Sequence, residues 1–249
     1  MKTLDEVREY FKDKNVLIVG NSVEMFNHMK GDYIDSFDIV IRLGQGIRTR
    51  GRHEVLGTKS NVWASGDFRL KEYFDSHLDD TMSKLELILF NPNRLRLGKN
   101  HKPQWFDRLP ENLTHAMFTD QELIEKNEKW NYTGWSNENE KRTARLSGGM
   151  VCIMFMVEKV KTYKSLELIG FDFFKKHTKQ TRRDDQIKHH SWHRPIREII
   201  WENDRYKWDH DHKNEKGYVL QAQSEGLLKW NILSDLEEES IDEPRFTNY

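Results

Sequence analysis

The sequence predicts an α/β domain with a mostly parallel sheet and helices on both of its faces. Three observations carry that expectation. Short apolar runs recur at Val16–Val19, Phe37–Leu43, Asn61–Ala64, Leu85–Phe90 and Leu166–Gly170. Helical stretches lie between several of them, as βαβ crossovers require. Two glycine-containing turns, Gly20-Asn21-Ser22 and Ser147-Gly148-Gly149, each stand at the entry to a helical segment. Ligands of open α/β sheets bind beyond the carboxyl ends of the strands, so these turns are the first places to look for a site.

The elements follow in order. Leu4, Val7 and Phe11 share one face of a short helix over Thr3–Asp13. Val16-Leu17-Ile18-Val19 is apolar throughout and β-branched at three of four positions, which suits a buried parallel strand. Gly20-Asn21-Ser22 breaks it, and Val23–Met29 reads as a helix start. Phe37–Leu43 and Asn61–Ala64 are the next strands, Leu70–His77 reads as a helix, and Leu85–Phe90 as another strand. Residues 91–145 carry three of the five prolines and weak periodicity, so they read as a long excursion with one helix near Asp120–Lys129. Loops of that length usually carry function or motion. Order returns with a helix over Met150–Val160, a strand at Leu166–Gly170, a helix around Tyr218–Leu228 and a strand at Leu228–Leu233. The acidic run from Asp235 to Tyr249 reads as a flexible tail.

At roughly 150 residues per domain, a chain of 249 residues holds one large domain or two small ones. The alternation favours one, over 1–234, with the excursion inserted. Charged residues make up 33% of the chain, yet 40 Lys+Arg nearly cancel 41 Asp+Glu. A net charge of −1 argues against a dedicated nucleic-acid binder, which needs a basic surplus. The one cysteine, Cys152, excludes a disulfide framework within the chain and a Cys-rich zinc site. It points to a reducing, cytoplasmic setting. The charged start Met1-Lys2-Thr3-Leu4-Asp5-Glu6 is unlike a signal peptide, and the longest apolar run, Met150–Val157, is far short of a membrane span.

Both turns admit a plain reading, a connection with Ser22 or Ser147 as helix N-cap, and a functional one. Exposed amides at a helix entry bind phosphate, and glycines let backbone approach a ligand closely. The histidines are harder to set aside: His177, His189, His190, His193, His210 and His212 fall within one stretch. Histidine titrates near neutral pH and serves as general base or metal ligand. Two pairs, His193 with Glu198 and His210 with Glu215, have the same spacing. A nearby carboxylate raises a histidine's basicity, and spacing alone does not choose between the pairs.

Taken together, the motifs resemble the animal-type sialyltransferases, glycosyltransferase family 29. Val16-Leu17-Ile18-Val19-Gly20-Asn21-Ser22 and Ile34-Asp35-Ser36-Phe37-Asp38-Ile39-Val40-Ile41-Arg42 resemble the large sialylmotif, and Leu56-Gly57-Thr58-Lys59-Ser60-Asn61 its ending. Ser147-Gly148-Gly149, the helix after it and Leu168-Ile169-Gly170-Phe171 resemble the small sialylmotif. His189-His190-Ser191-Trp192 is similar to the short third motif, and His210-Asp211-His212-Lys213-Asn214-Glu215-Lys216 to the last, HDxxxEK. The likeness covers most of residues 16–233 and implies a Rossmann-like, GT-A variant fold, in a bacterial or viral relative. Three departures stand out. Gly44 occupies a position where the family carries Asn, with Gln45 beside it as a replacement, and Gly148 replaces the middle hydroxyl of the small motif. Val16 and Tyr163 stand where the family's disulfide partners are expected. Their joint absence fits folding in a reducing cytosol.

The resemblance implies an inverting, metal-independent transferase with no cofactor, moving sialic acid or Kdo from a CMP donor to a glycan hydroxyl. His210 is favoured over His193 as the base, because Asp211, Glu215 and Lys216 complete the motif around it. Glu215 would orient or support that base, and His190 would bind the departing phosphate. Gly20, Asn21, Ser22, Arg42, Gly44, Ser147, Gly148, Gly149, Phe171 and His189 would hold the donor. The excursion would face the acceptor, with Trp105, Trp130, Tyr132 and Trp135 available to stack on sugars. Two other classes remain open: a metal-dependent hydrolase built on the cluster around Asp209-His210-Asp211, and a non-catalytic nucleotide- or glycan-binding relative.

Overall fold

The computed structural model of the chain describes residues 1–22, 25, 28–47, 49, 52–65, 84–90, 110–129, 136–137, 140–141, 146–171 and 212–231. Seven of its strands form one sheet: β1 (Asn15–Val19), β2 (Ile39–Leu43), β3 (Val62–Ser65), β4 (Leu87–Phe90), β5 (Thr114–Ala116), β8 (Ser165–Ile169) and β9 (Lys229–Trp230). Their order is β5-β4-β3-β2-β1-β8-β9, with every neighbouring pair parallel. Two short strands, β6 (Ser136–Asn137) and β7 (Glu140–Lys141), pair antiparallel in a separate sheet.

The sheet is covered on both faces, as the sequence predicts. Val16 and Ile18 of β1, with Ile39, Ile41 and Leu43 of β2, join a core cluster that takes in Val7 and Phe11 of helix α1 (Leu4–Phe11). Helix α5 (Gly148–Phe155) completes that layer, and every residue from Met150 to Phe155 is buried. Leu17, Val19 and Val40 alternate to the other face. There they meet Ile34 of α2 (Gly31–Asp35) and Leu56 of α3 (His53–Leu56). Helix α1 starts on a capping box: the Thr3 hydroxyl accepts from the Glu6 N–H and the Glu6 carboxylate from the Thr3 N–H.

Three boundaries differ from the sequence expectation. The 91–145 excursion is not outside the sheet throughout, because residues 114–116 return as edge strand β5 against β4. Met117, Phe118 and Leu123, the last of these from α4 (Asp120–Lys129), then join the core. Helix α6 (His212–Ser224) begins six residues before the expected start at Tyr218. Its first turn, His212-Lys213-Asn214-Glu215, is polar throughout and hides it from a pattern search. The expected helix at 23–29 lies largely outside the described residues. Its recorded bonds, Met25 N–H to Ser22 O and His28 N–H to Met25 O, span three residues rather than four. The helix at Leu70–His77 and the tail from Asp235 also lie outside the described residues.

Cys152 is buried in α5, and burial pushes its thiol up to about 12, so it is an inert core residue. Val16 belongs to the core cluster, and half-buried Tyr163 packs against it while its hydroxyl donates to the Leu227 carbonyl at 3.3 Å. Among the described residues, no helix is long and apolar enough to cross a membrane.

Candidate active site

The carboxyl ends of β1, β2 and β8 lie side by side, and residues of three of the sequence motifs, the large, the small and the last, meet above them. The Gly20 N–H donates to the Ile169 carbonyl at 2.8 Å and the Ser22 N–H to the Gly170 carbonyl at 3.0 Å. These bonds lash the first turn to the end of β8. They also commit two of its three amides, so the phosphate cradle expected there is narrower than the sequence suggests. The approach is close: a Cβ on Gly20 would stand 2.2 Å from the Gly170 carbonyl oxygen. Asn21 Nδ2 donates to the Leu43 carbonyl at 3.1 Å, which ties the end of β1 to the end of β2. One donor of the Asn21 amide therefore serves the fold rather than a ligand.

The second turn caps α5. Ser147 has an extended backbone, and its Oγ accepts from the Met150 N–H at 3.1 Å. The same residue is gripped by Glu215. The Ser147 N–H donates to Oε1 at 2.7 Å, and the Ser147 hydroxyl donates to Oε2 at 3.0 Å. Glu215 is only 2% exposed, so these charge-assisted bonds are shielded from water. The carboxylate expected to support a base thus holds the small-motif serine, and through it the entry of α5. Ser147 spends its own N–H and hydroxyl there, so neither is left over from that grip.

Phe171 joins the two turns. A Cβ on Gly20 would lie 3.0 Å from its ring, and one on Gly149 3.2 Å from it. Trp230 Nε1 donates to the Phe171 carbonyl at 3.1 Å, and Lys216 Nζ sits 5.7 Å from the centre of the Trp230 ring. Among the described residues, nothing occupies the space where a side chain on Gly148 would stand. The hydroxyl it lacks would have had room, so the departure does not distort the turn. Gly44 is similar: its φ of +49° is a left-handed conformation that Asn tolerates, and its Cβ position is open. The backbone there suits either residue.

Arg42 lies on the far side of the first turn and is fully buried. Its Nε donates to the Lys59 carbonyl and to Ser60 Oγ, both at 2.9 Å, and Nη2 donates to the Leu56 carbonyl at 2.6 Å. Burial brings the guanidinium down to about 10 while Asp35 pulls the other way, so it stays charged at neutral pH. Asp35 organises the same loop, accepting from the Thr58 N–H and hydroxyl and from the Lys59 N–H at 2.8–2.9 Å. Burial pushes the Asp35 carboxyl up, but the Lys59 and Thr58 amides, the Thr58 hydroxyl and the Arg42 charge outweigh it and leave it below its ordinary value. A carboxylate held low stabilises the fold above its unfolded pKa and loses that contribution as pH falls through the folded one. Urea midpoints measured across pH should therefore drop below about pH 4 in the wild type, and Asp35→Asn should flatten that part of the drop.

His189, His190, His193 and His210 lie outside the described residues, as do Trp105, Trp130, Tyr132 and Trp135. The backbone of His212 opens α6, so the chain between His210 and Glu215 leads directly to the Ser147 turn. Among the described residues, no group of His, Cys, Asp and Glu could hold a metal ion. Sequence reasoning missed Asp35 as the organiser of the 58–59 loop and Gly170 as the partner of Gly20. Asp35 was visible inside the large motif, whereas nothing in the sequence marked Gly170 as a contact of residue 20.

No protein-family profile matches the chain. A 107-residue stretch is 32% identical to the type 2 lactosamine alpha-2,3-sialyltransferase of Mus musculus, covering 39% of this chain and 30% of that protein. The match thus spans less than a third of the mouse enzyme's length. Among solved structures, a mammalian sialyltransferase in complex with Gal-beta-1-3GalNAc-ortho-nitrophenol superposes with a TM-score of 0.52 at 15% identity, over 90% of this chain and 71% of that one. The fold is that of the sialyltransferases. A point variant of the sialyltransferase CST-II in complex with CMP has the same fold, with a TM-score of 0.52 at 16% identity, over 95% of this chain and 89% of that one. CstII from Campylobacter jejuni in complex with the substrate analogue CMP-3FNeuAc superposes at 0.50 with 15% identity, over 95% of this chain and 89% of that one. The sialyltransferase fold agrees with the motif resemblance.

Proposed function

We propose that the chain is a glycosyltransferase that moves sialic acid from CMP-sialic acid to a glycan hydroxyl, with CMP-Kdo as the related donor to be tested beside it. The observation that carries this reading is the grip of Glu215 on Ser147. It brings the last motif onto the small motif, on the rim that the Gly20 turn and Phe171 already share. The likeness to the mouse enzyme and to CMP-binding folds supports the same donor class.

His210, five residues before Glu215, takes the proton of the acceptor hydroxyl as it attacks the anomeric carbon. Attack from the face opposite the leaving group inverts that centre. CMP departs as a phosphate monoester, and its growing charge is met by the Gly20-Asn21-Ser22 turn and by His190 in its protonated form. The Gly148 and Gly149 backbone holds the cytidine, and Phe171 and His189 also serve the donor. These groups replace the metal ion that many nucleotide-sugar enzymes employ. The lone buried Cys152, with Val16 and Tyr163 in place of cysteines, supports a cytoplasmic setting.

CMP release from CMP-sialic acid over a panel of galactosides, repeated with CMP-Kdo, tests the reading. The expected result is acceptor-dependent release with one of the two donors, unaffected by a metal chelator. No release above background, with no CMP-induced rise in melting temperature, would overturn it.

A further inference from the structure

Arg42 is a buried cation with one nitrogen to spare. Nε and Nη2 are spent on the loop carbonyls of Leu56 and Lys59 and on Ser60 Oγ, but Nη1 is buried with no hydrogen-bond partner among the described residues. The nearby acid does not neutralise it by contact, because both oxygens of Asp35 are taken by Thr58 and Lys59. Arg42 lines a small cavity of about 10 Å³ together with Gly20, Asn21, Ser22, Gly46 and Leu56. A space of that size admits about one oxygen atom. Burial strengthens the pull of a charge on whatever sits beside it, and guanidinium nitrogens favour phosphate and carboxylate oxygens.

We propose that Arg42 Nη1 binds one anionic oxygen of the nucleotide-sugar donor, from its phosphate or its sugar carboxylate, in the cavity under the Gly20-Asn21-Ser22 turn. The inference rests on the CMP-sugar reading above and gives it a specific cation. A chain with a net charge of −1 has no basic field to draw an anionic donor. One desolvated guanidinium under the phosphate turn supplies that attraction locally. Because Nη1 is the nitrogen with no partner among the described residues, the contact is made through its N–H groups.

Calorimetric titration of wild type, Arg42→Met and Arg42→Lys with cytidine, CMP and CMP-3FNeuAc tests it. Arg42→Met should weaken binding of the anionic ligand by about tenfold or more, leave cytidine unchanged, and be partly rescued in Arg42→Lys. A loss that begins with CMP assigns the phosphate, and a loss confined to CMP-3FNeuAc assigns the carboxylate. Equal losses on all three ligands would make Arg42 a purely structural residue, and no loss on any would leave only a water in the cavity. Either result overturns the proposal. A wild type that binds none of the three overturns the CMP-sugar reading itself. If Arg42→Met does not fold, a crystal structure of the wild type with CMP-3FNeuAc decides the matter. An anionic oxygen within about 3.2 Å of Nη1 supports the proposal, and a water there with both anions elsewhere overturns it.

Discussion

His210→Ala is expected to lower sialyl transfer by about 10²–10⁴-fold while leaving CMP affinity unchanged. That range is the usual contribution of a positioned general base. The asymmetry follows from the assigned role: the base acts on the acceptor hydroxyl and touches neither cytidine nor phosphate. A neutral imidazole is the active form, so wild-type kcat/KM should rise with pH through the histidine range and then level off. The residual activity of the variant should lack that rise. His193→Ala is the paired control and should retain transfer. Equal activity in His210→Ala and wild type would move the base to His193 or elsewhere. Loss of CMP binding together with transfer would mean that His210 belongs to the donor pocket instead.

Glu215→Ala is expected to cost about 3 kcal/mol of stability, since two hydrogen bonds to a buried carboxylate disappear and each contributes about 1.5–3 kcal/mol. The Ser147 N–H and hydroxyl are half-buried, so they lose the carboxylate without full access to water in its place. It should reach the ligand too. Ser147 caps α5, so a loosened cap displaces Gly148 and Gly149, and CMP should bind more weakly in proportion to the fraction of misplaced turn. Glu215→Gln keeps the volume and one acceptor oxygen but offers Ser147 a donor where it needs an acceptor, so about half the loss should remain. Urea unfolding and CMP titration of the two variants check both effects. Wild-type stability and CMP affinity in Glu215→Ala would break the link between the last motif and the small motif.

The strands legible in the sequence are those whose residues are buried in continuous runs. Val16–Val19 and Leu87–Phe90 sit at the heart of a parallel sheet covered on both faces, and nothing but apolar residues fits there. β5 was not legible, because Thr114-His115-Ala116 is a three-residue edge strand whose apolar support comes from Met117 and Phe118 after it. The start of α6 was hidden by a turn that faces polar partners. For the site, the positions of both turns were legible, but the direction of their hydrogen bonds was not. Asn21 spends a donor on Leu43, Ser147 spends its donors on Glu215, and Arg42 spends Nε and Nη2 on the loop from Leu56 to Ser60. These are choices among partners that only the fold brings close, and such partners leave no local trace in a sequence.

The pairing of β1 with β8 also governs when the rim can exist. Asn15 and Ser165 are cross-strand neighbours 150 residues apart, whereas β1 meets β2 within two dozen residues of chain. Closing a long loop before its contacts repay the entropy makes such a step slow. During synthesis, the Gly20 turn therefore waits without its Ile169 and Gly170 acceptors until β8 has left the ribosome, and the Ser147 cap waits longer still for Glu215. The geometry of the rim is thus among the last things this chain acquires, and a nascent chain that has not reached α6 lacks the carboxylate that holds the Ser147 turn.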